Sequence, residues 1–199
     1  GNPLAKEAHS LLAAGEAGLL RLDAVLVETG SRSLLGVEAA LSDIVSHVRL
    51  ADGSPPGAVV RDIGEAAVAA QLDRRVEAVP QISGLALVAA DGAVVSHTRG
   101  WALGDGNVAQ RDYFAVLRND TKREAAIGAP IGLASGSARV IPVAHKLRTA
   151  GGGFAGLAVA TVPVGDFENL YRAVPLGPDG VISLLRRDGV VLAQYPRDA

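Results

Sequence analysis

The 199 residues, 49% hydrophobic and 20% charged, can bury the core of one large domain or of one and a half small ones. A net charge of −2, with no basic cluster larger than a pair such as Arg186-Arg187, excludes the electrostatic footprint of a nucleic-acid binder. Without cysteine there is no disulfide, thiolate nucleophile or zinc–thiolate site, and no stretch approaches the roughly 18 apolar residues of a membrane span.

Residues 3–50 carry an apolar stripe at three- and four-residue steps, from Leu4, Ala8, Leu11 and Leu12 to Leu41, Ile44, Val45 and Val48. This spacing predicts a long helix, weakened at Gly30. Ala51-Asp-Gly-Ser-Pro-Pro-Gly57 reads as a loop, because glycine and proline stop a helix and two prolines delay its return. A second helix is expected over about 59–78, ending before Pro80.

The period then changes. Ile82 to Ala89, the pair Asp91-Gly92 and Val94-Val95-Ser96-His97 make a hairpin signal. After a glycine-rich loop (100–106) come a short helix from Arg111 to Arg118 and strands Ala138–Leu147 and Phe154–Val162. A helix over 164–173 follows, and the chain closes with Val181–Leu185, Asp188-Gly189 and Val190–Gln194. The stretch Gly84 to His97 aligns without a gap on Val181 to Gln194, 97 residues later. Self-similarity at that interval reads either as a tandem duplication or as the coincidence of two common strand–turn–strand patterns. With aromatics at only 4%, the core is expected to be built of small side chains.

Chemistry is thinly represented. Gly132-Leu-Ala-Ser135-Gly136 has the wrong spacing for a nucleophile elbow, and His9, His47, His97 and His145 are far apart. Gly104-Asp-Gly-Asn107 lacks the alternating oxygens and closing Glu of a calcium loop, so a structural turn is preferred. No catalytic residue, metal site or cofactor site is expected.

Arg111-Asp112-Tyr113-Phe114 suits binding instead. At the start of a helix Arg111 and Tyr113 can lean over the mouth of a sheet while Phe114 enters the core, and a guanidinium fork grips a carboxylate with two parallel hydrogen bonds. Alternatively, Arg111 pairs with Asp112 or Asp105 and staples a loop. In the strand through 139–147, Ile141, Val143, His145 and Leu147 share one face, and Pro142, Ala144 and Lys146 the other. The first set reads as the inside. That makes His145 either a ligand contact or a buried structural histidine, and puts Lys146 outside. Trp101, the sole tryptophan, is either a lid residue or simply packed.

Together these segments resemble the double-Cache (PDC, extracellular PAS-like) sensor family over nearly the whole chain. The resemblance is carried by the long first helix and by Leu87-Val-Ala-Ala-Asp91-Gly92-Ala-Val-Val95. Gly106-Asn-Val-Ala-Gln-Arg111-Asp112-Tyr113-Phe114, Ile141-Pro-Val-Ala-His-Lys-Leu147 and Gly153-Phe-Ala-Gly156-Leu-Ala-Val159 continue it. Leu185-Arg-Arg-Asp188-Gly189-Val-Val-Leu192 completes it.

The resemblance implies an α+β fold: a long N-terminal helix, a PAS-like unit with a central antiparallel sheet flanked by helices, and the start of a second such unit. The expected division is 1–80 (helical region), 81–173 (membrane-distal unit) and 174–199 (start of the membrane-proximal unit, incomplete). It also implies an extracytoplasmic sensor of a receptor anchored through spans outside this sequence, with a histidine kinase, diguanylate cyclase or chemotaxis output. The chain, which lacks any methionine, is expected to be a soluble piece of such a receptor. A parallel homodimer through the N-terminal helix fits its apolar stripe.

In the family the motif arginine lies in the ligand pocket, so the expected ligand-binding residues are Arg111, Tyr113, His145, Trp101 and Asp112. Members that bind amino acids carry an acidic residue where Thr161 stands here and a tryptophan where Tyr113 stands. The expected ligand is therefore a small carboxylate lacking an amine. A structural or dimerising ectodomain with no small-molecule ligand is the alternative.

Overall fold

The computed structural model describes residues 19–47, 55–104, 106–134, 136–175 and 180–196, with the side chains of 19–31, 47 and 63 excepted. The expected helix over 3–18, most of the 51–57 loop, Asp105 and Ser135 therefore lie outside the described residues. Helix α1 (Leu19–His47) runs unbroken through Gly30. A single glycine weakens a helix by about 1 kcal/mol without ending it. Its buried residues Leu34, Val37, Leu41 and Ile44 recur at three- and four-residue steps, one stripe against one face of the sheet.

The single helix expected over 59–78 is two. Helix α2 (Pro56–Ile63) starts on a proline at its first turn, where no amide hydrogen is needed. Helix α3 (Glu65–Val76) follows after Gly64, whose φ of 92° is open to glycine and ends the first helix. Helix α4 (Asp112–Asn119) and helix α5 (Val164–Arg172) fall where the sequence places them.

The strands are β1 (Gly84–Ala89), β2 (Val94–His97), β3 (Ala125–Ile127), β4 (Ile131–Gly132), β5 (Arg139–Arg148) and β6 (Phe154–Pro163). They form one antiparallel sheet in the order β2-β1-β6-β5-β3, with β4 also on β5. The architecture is α+β, as expected.

Both faces of this sheet are covered. Leu85, Leu87, Ile141, Val143, Leu147, Ala158 and Ala160 pack with α1, α2 and α3. Ala86, Val88, Ala144, Leu157 and Val159 pack instead with Tyr113, Phe114 and Leu117 of α4 and with Trp101 and Val108 of the preceding loop. Lys146, expected outside, is therefore only 4% exposed, because the second face is roofed by α4 rather than by water. Its ammonium donates to the Asp120 carbonyl at the end of α4 (2.6 Å), a favourable place for a cation, and burial holds its pKa below the usual lysine value.

Strands β7 (Ile182–Leu185) and β8 (Val191–Tyr195) form a separate two-stranded sheet. Buried Leu184, Leu192 and Ala193 join Phe167 and Tyr171 of α5 in the first core, and the Arg172 guanidinium lies 5.9 Å from the centre of the Tyr195 ring.

The repeat read from the sequence extends to the hydrogen bonds. In the first hairpin Ala86 pairs with His97, Leu87 with Ser96 and Val88 with Val94, so the register slips after Leu87. In the second, Ser183 pairs with Gln194, Leu184 with Ala193 and Leu185 with Val191, and the slip follows Leu184. Every one of these positions is offset by the same interval. The turns agree too: Gly92 (φ 91°) and Gly189 (φ 86°) donate to Ala89 and Arg186, whose own amides donate to Ala93 and Val190.

Candidate functional site

Pairing in an antiparallel sheet puts partners on one face, and this builds a floor beneath α4. Gly84, Thr161 and Pro142 form its first row, and Ala86, Val159 and Ala144 its second. Most of these are small residues, which leaves the roof close to the backbone.

Over one end sits Trp101. A Cβ on Gly84 would stand 2.9 Å from the Trp101 Cα and 2.6 Å from the Gly100 carbonyl oxygen, so only glycine admits the loop there. The loop is fastened at its root. The Leu85 amide donates to the Thr98 hydroxyl (2.9 Å), the Thr98 amide donates to the Leu85 carbonyl (2.9 Å), and Asp73 of α3 accepts from the Arg99 amide (3.1 Å) and its Nε (3.3 Å). Trp101 is only 9% exposed, and its indole Nε1 finds no acceptor among the described residues.

Over the other end sits Tyr113, 1% exposed. A Cβ on Gly128 would lie 2.5 Å from Tyr113 Cδ1 and 2.6 Å from Pro142 Cγ, so the ring edge, Gly128 and the floor are in contact. Gly128→Ala is accordingly expected to cost about 2 kcal/mol by overpacking, read as a lower urea midpoint at unchanged slope. Arg111 is the N-cap of α4 (φ −77°, ψ 144°) rather than its first helical residue, and it is half-buried. Phe114 enters the core, edge-on to Phe154 at 5.7 Å between ring centres.

Thr161, in the middle of the first row, is buried and already committed. Its hydroxyl donates to the Gly84 carbonyl (3.3 Å) and shares a hydrogen bond with the Ser83 hydroxyl (3.0 Å). Two open clefts lie away from this floor, one at the end of α4 around Asn119 to Lys122 and one between α2 and the β1–β2 turn.

Tyr113 and Trp101 pack in this roof, Arg111 caps the helix that carries Tyr113, and two other expected residues lie out of it. His145 pairs with Ala158 and Ala125 on the face packed against α1, with its Nδ1 3.0 Å from the Lys146 carbonyl. The parity of β5 is as expected, but the face that it shares with Ile141 and Val143 is the one turned from α4. Asp112 is spent on structure: its carboxylate accepts from the Tyr113 amide (2.8 Å), the Ala129 amide (3.0 Å) and Nη1 of Arg186 (2.6 Å). Arg186 had shown itself in the sequence only as half of a basic pair, and no local signal announces its partner.

A fold with these two roofs over one antiparallel sheet is that of the ligand-binding sensor domains of membrane receptors. The extracellular domain of rpHK1S-Z16, assigned as a histidine kinase, matches with a TM-score of 0.67 and 28% identity, over 88% of this chain and 68% of that one. The ligand-binding domain of the Pseudomonas aeruginosa amino-acid chemoreceptor PctC, in complex with GABA, matches with a TM-score of 0.63 and 17% identity, over 88% and 72%. The sensory domain of the Campylobacter jejuni chemoreceptor Tlp3, with isoleucine bound, matches with a TM-score of 0.59 and 13% identity, over 98% and 72%. No family model and no curated protein sequence matches the chain. The resemblance to double-Cache sensors read from the sequence thus holds in the fold. Among the described residues no helix is long and apolar enough to cross a membrane.

Proposed function

We propose that the chain is the extracytoplasmic ligand-sensing part of a membrane signal-transduction receptor, and that it binds a small carboxylate lacking an amine. In this reading residues 81–173 are the membrane-distal sensing unit, 1–80 the helical region through which two copies pair in parallel, and 174–199 the start of the membrane-proximal unit. The observation that carries it is the buried indole Nε1 of Trp101, a donor without an acceptor among the described residues, in the same cluster as Tyr113. A buried unmet donor costs about 1–3 kcal/mol, and an acceptor supplied by a ligand removes that cost.

The ligand lies over the row Gly84, Thr161 and Pro142, between Trp101 and Tyr113. Arg111, at the positive end of α4, clamps the carboxylate, and Tyr113 supplies a hydroxyl. Thr161 offers no negative charge, and its hydroxyl is already bonded within the floor, so the first row gives an ammonium no opposite charge to pair with. Binding favours one of two arrangements of the unit only by as much as the ligand prefers that arrangement. The chain has no catalytic part in this reading.

A melting screen tests it, with formate, acetate, propionate, lactate and succinate against GABA and L-isoleucine. At least one of the five is expected to raise the midpoint by several degrees, the two amine-bearing compounds to raise it less, and Arg111→Ala to abolish the shift. The closed packing over Tyr113 favours a second reading, a dimerising ectodomain without a small-molecule ligand. A flat screen with all seven compounds would establish that reading instead.

A further inference from the structure

Asp112 stands between Arg111 and Tyr113, yet its carboxylate turns to the β7–β8 hairpin. Arg186 Nη1 donates both to Asp112 Oδ2 (2.6 Å) and to the Ile127 carbonyl (2.8 Å). The other edge of the same guanidinium is gripped by Asp188: Nε to Oδ1 at 2.8 Å and Nη2 to Oδ2 at 2.8 Å. Asp188 is itself placed by the hairpin turn, where the Val190 amide donates to its Oδ1 (3.4 Å). Four donor contacts thus fix one planar side chain, which is only 23% exposed although it leads into an exposed turn.

Each side of this bridge belongs to something else. On the sheet side, Asp112 Oδ2 also accepts from the Ala129 amide, next to the Gly128 that Tyr113 touches. The Asp112 carboxylate, on the residue between Arg111 and Tyr113, thus holds both the Ala129 amide and Arg186. On the hairpin side, Arg186 directly follows β7 and its amide donates to the Val190 carbonyl, so its position is tied to the turn that joins β7 and β8.

We propose that the Asp112–Arg186 bridge is the element that couples the Arg111–Tyr113 site to the β7–β8 hairpin, so that the state of the site biases how firmly the hairpin is docked. It rests on the reading above only for what is bound; the coupling itself is a property of the unliganded chain. By linkage the effect is reciprocal: loosening the hairpin loosens the start of α4 and the segment 126–130. Arginine is required, since a lysine ammonium beside Asp188 cannot also present a second edge to Asp112 and the Ile127 carbonyl.

Hydrogen–deuterium exchange on the whole chain without ligand tests this, following peptides over 112–118, 126–130 and 182–195. Asp112→Asn and Arg186→Lys are each expected to speed exchange in all three segments by about tenfold, and the double variant no further, while β5 and β6 keep their protection. Arg186→Lys retains the charge and its pairing with Asp188, which keeps the test meaningful if Asp112→Asn folds poorly. Loosening confined to 182–195, or single effects that add in the double variant, overturns the coupling. No ligand is added, so the result stands apart from the melting screen. Coupled variants with a flat screen retain the bridge and sink the carboxylate reading, and additive variants with a positive screen do the reverse.

Discussion

Gly84→Ala is expected to lower stability by about 3 kcal/mol and to move the emission of Trp101 towards that of a solvated indole. The added methyl would stand 2.6 Å from the Gly100 carbonyl oxygen and 2.9 Å from the Trp101 Cα, and both obstacles are backbone. A flexible side chain could yield, but this loop is held by Thr98 and Asp73 and cannot retreat without breaking those bonds. Because the chain has one tryptophan, its fluorescence reports on this place alone. Gly36→Ala is the control: nothing lies within 4 Å of its added methyl, and a mid-helix alanine should gain about 1 kcal/mol with no spectral change. If Gly84→Ala leaves the emission where it was, Trp101 does not owe its burial to close approach over β1.

Tyr113 separates packing from recognition. Tyr113→Ala removes a ring that is 1% exposed and wedged against Gly128 and Pro142, and it is expected to cost about 3–5 kcal/mol. Tyr113→Phe keeps the ring and its contacts, so chemical denaturation should find it within about 1 kcal/mol of the parent. The proposed phenol contact then appears only in binding, as a roughly tenfold weaker affinity for whichever carboxylate raises the melting midpoint. Equal affinity in Tyr113→Phe would remove the hydroxyl from the site while leaving Arg111 in it.

The elements were legible where periodicity or turn chemistry spoke. The α1 stripe, both Asp-Gly hairpins, β5, β6 and α5 are all written in spacing. Strands β3 and β4 were not, because three and two residues around Gly128 and Pro130 carry no period, and long β5 pairs them. Helices α2 and α3 merged in the sequence because Gly64 reads as a mere weakness until its φ is known.

Faces were harder than strands. The alternation of β5 was right, but with both faces apolar it could not say which one α4 covers, and so His145 stayed open between a ligand contact and a structural histidine while Lys146 was placed towards water. For the site itself, the Arg-Asp-Tyr-Phe segment was visible as a unit. The turn of Asp112 away from its neighbours was not, since its partner lies 74 residues along the chain.

The two hairpins share their slip, their turn and their glycine conformation, so one rigid bracket occurs twice in the chain. They differ sharply at the residue that opens the turn: alanine at 89, arginine at 186. A bracket whose backbone is set by its own turn can change that side chain without being rebuilt. In the second hairpin that side chain reaches Asp112 and the Ile127 carbonyl, where the first hairpin has only a methyl group.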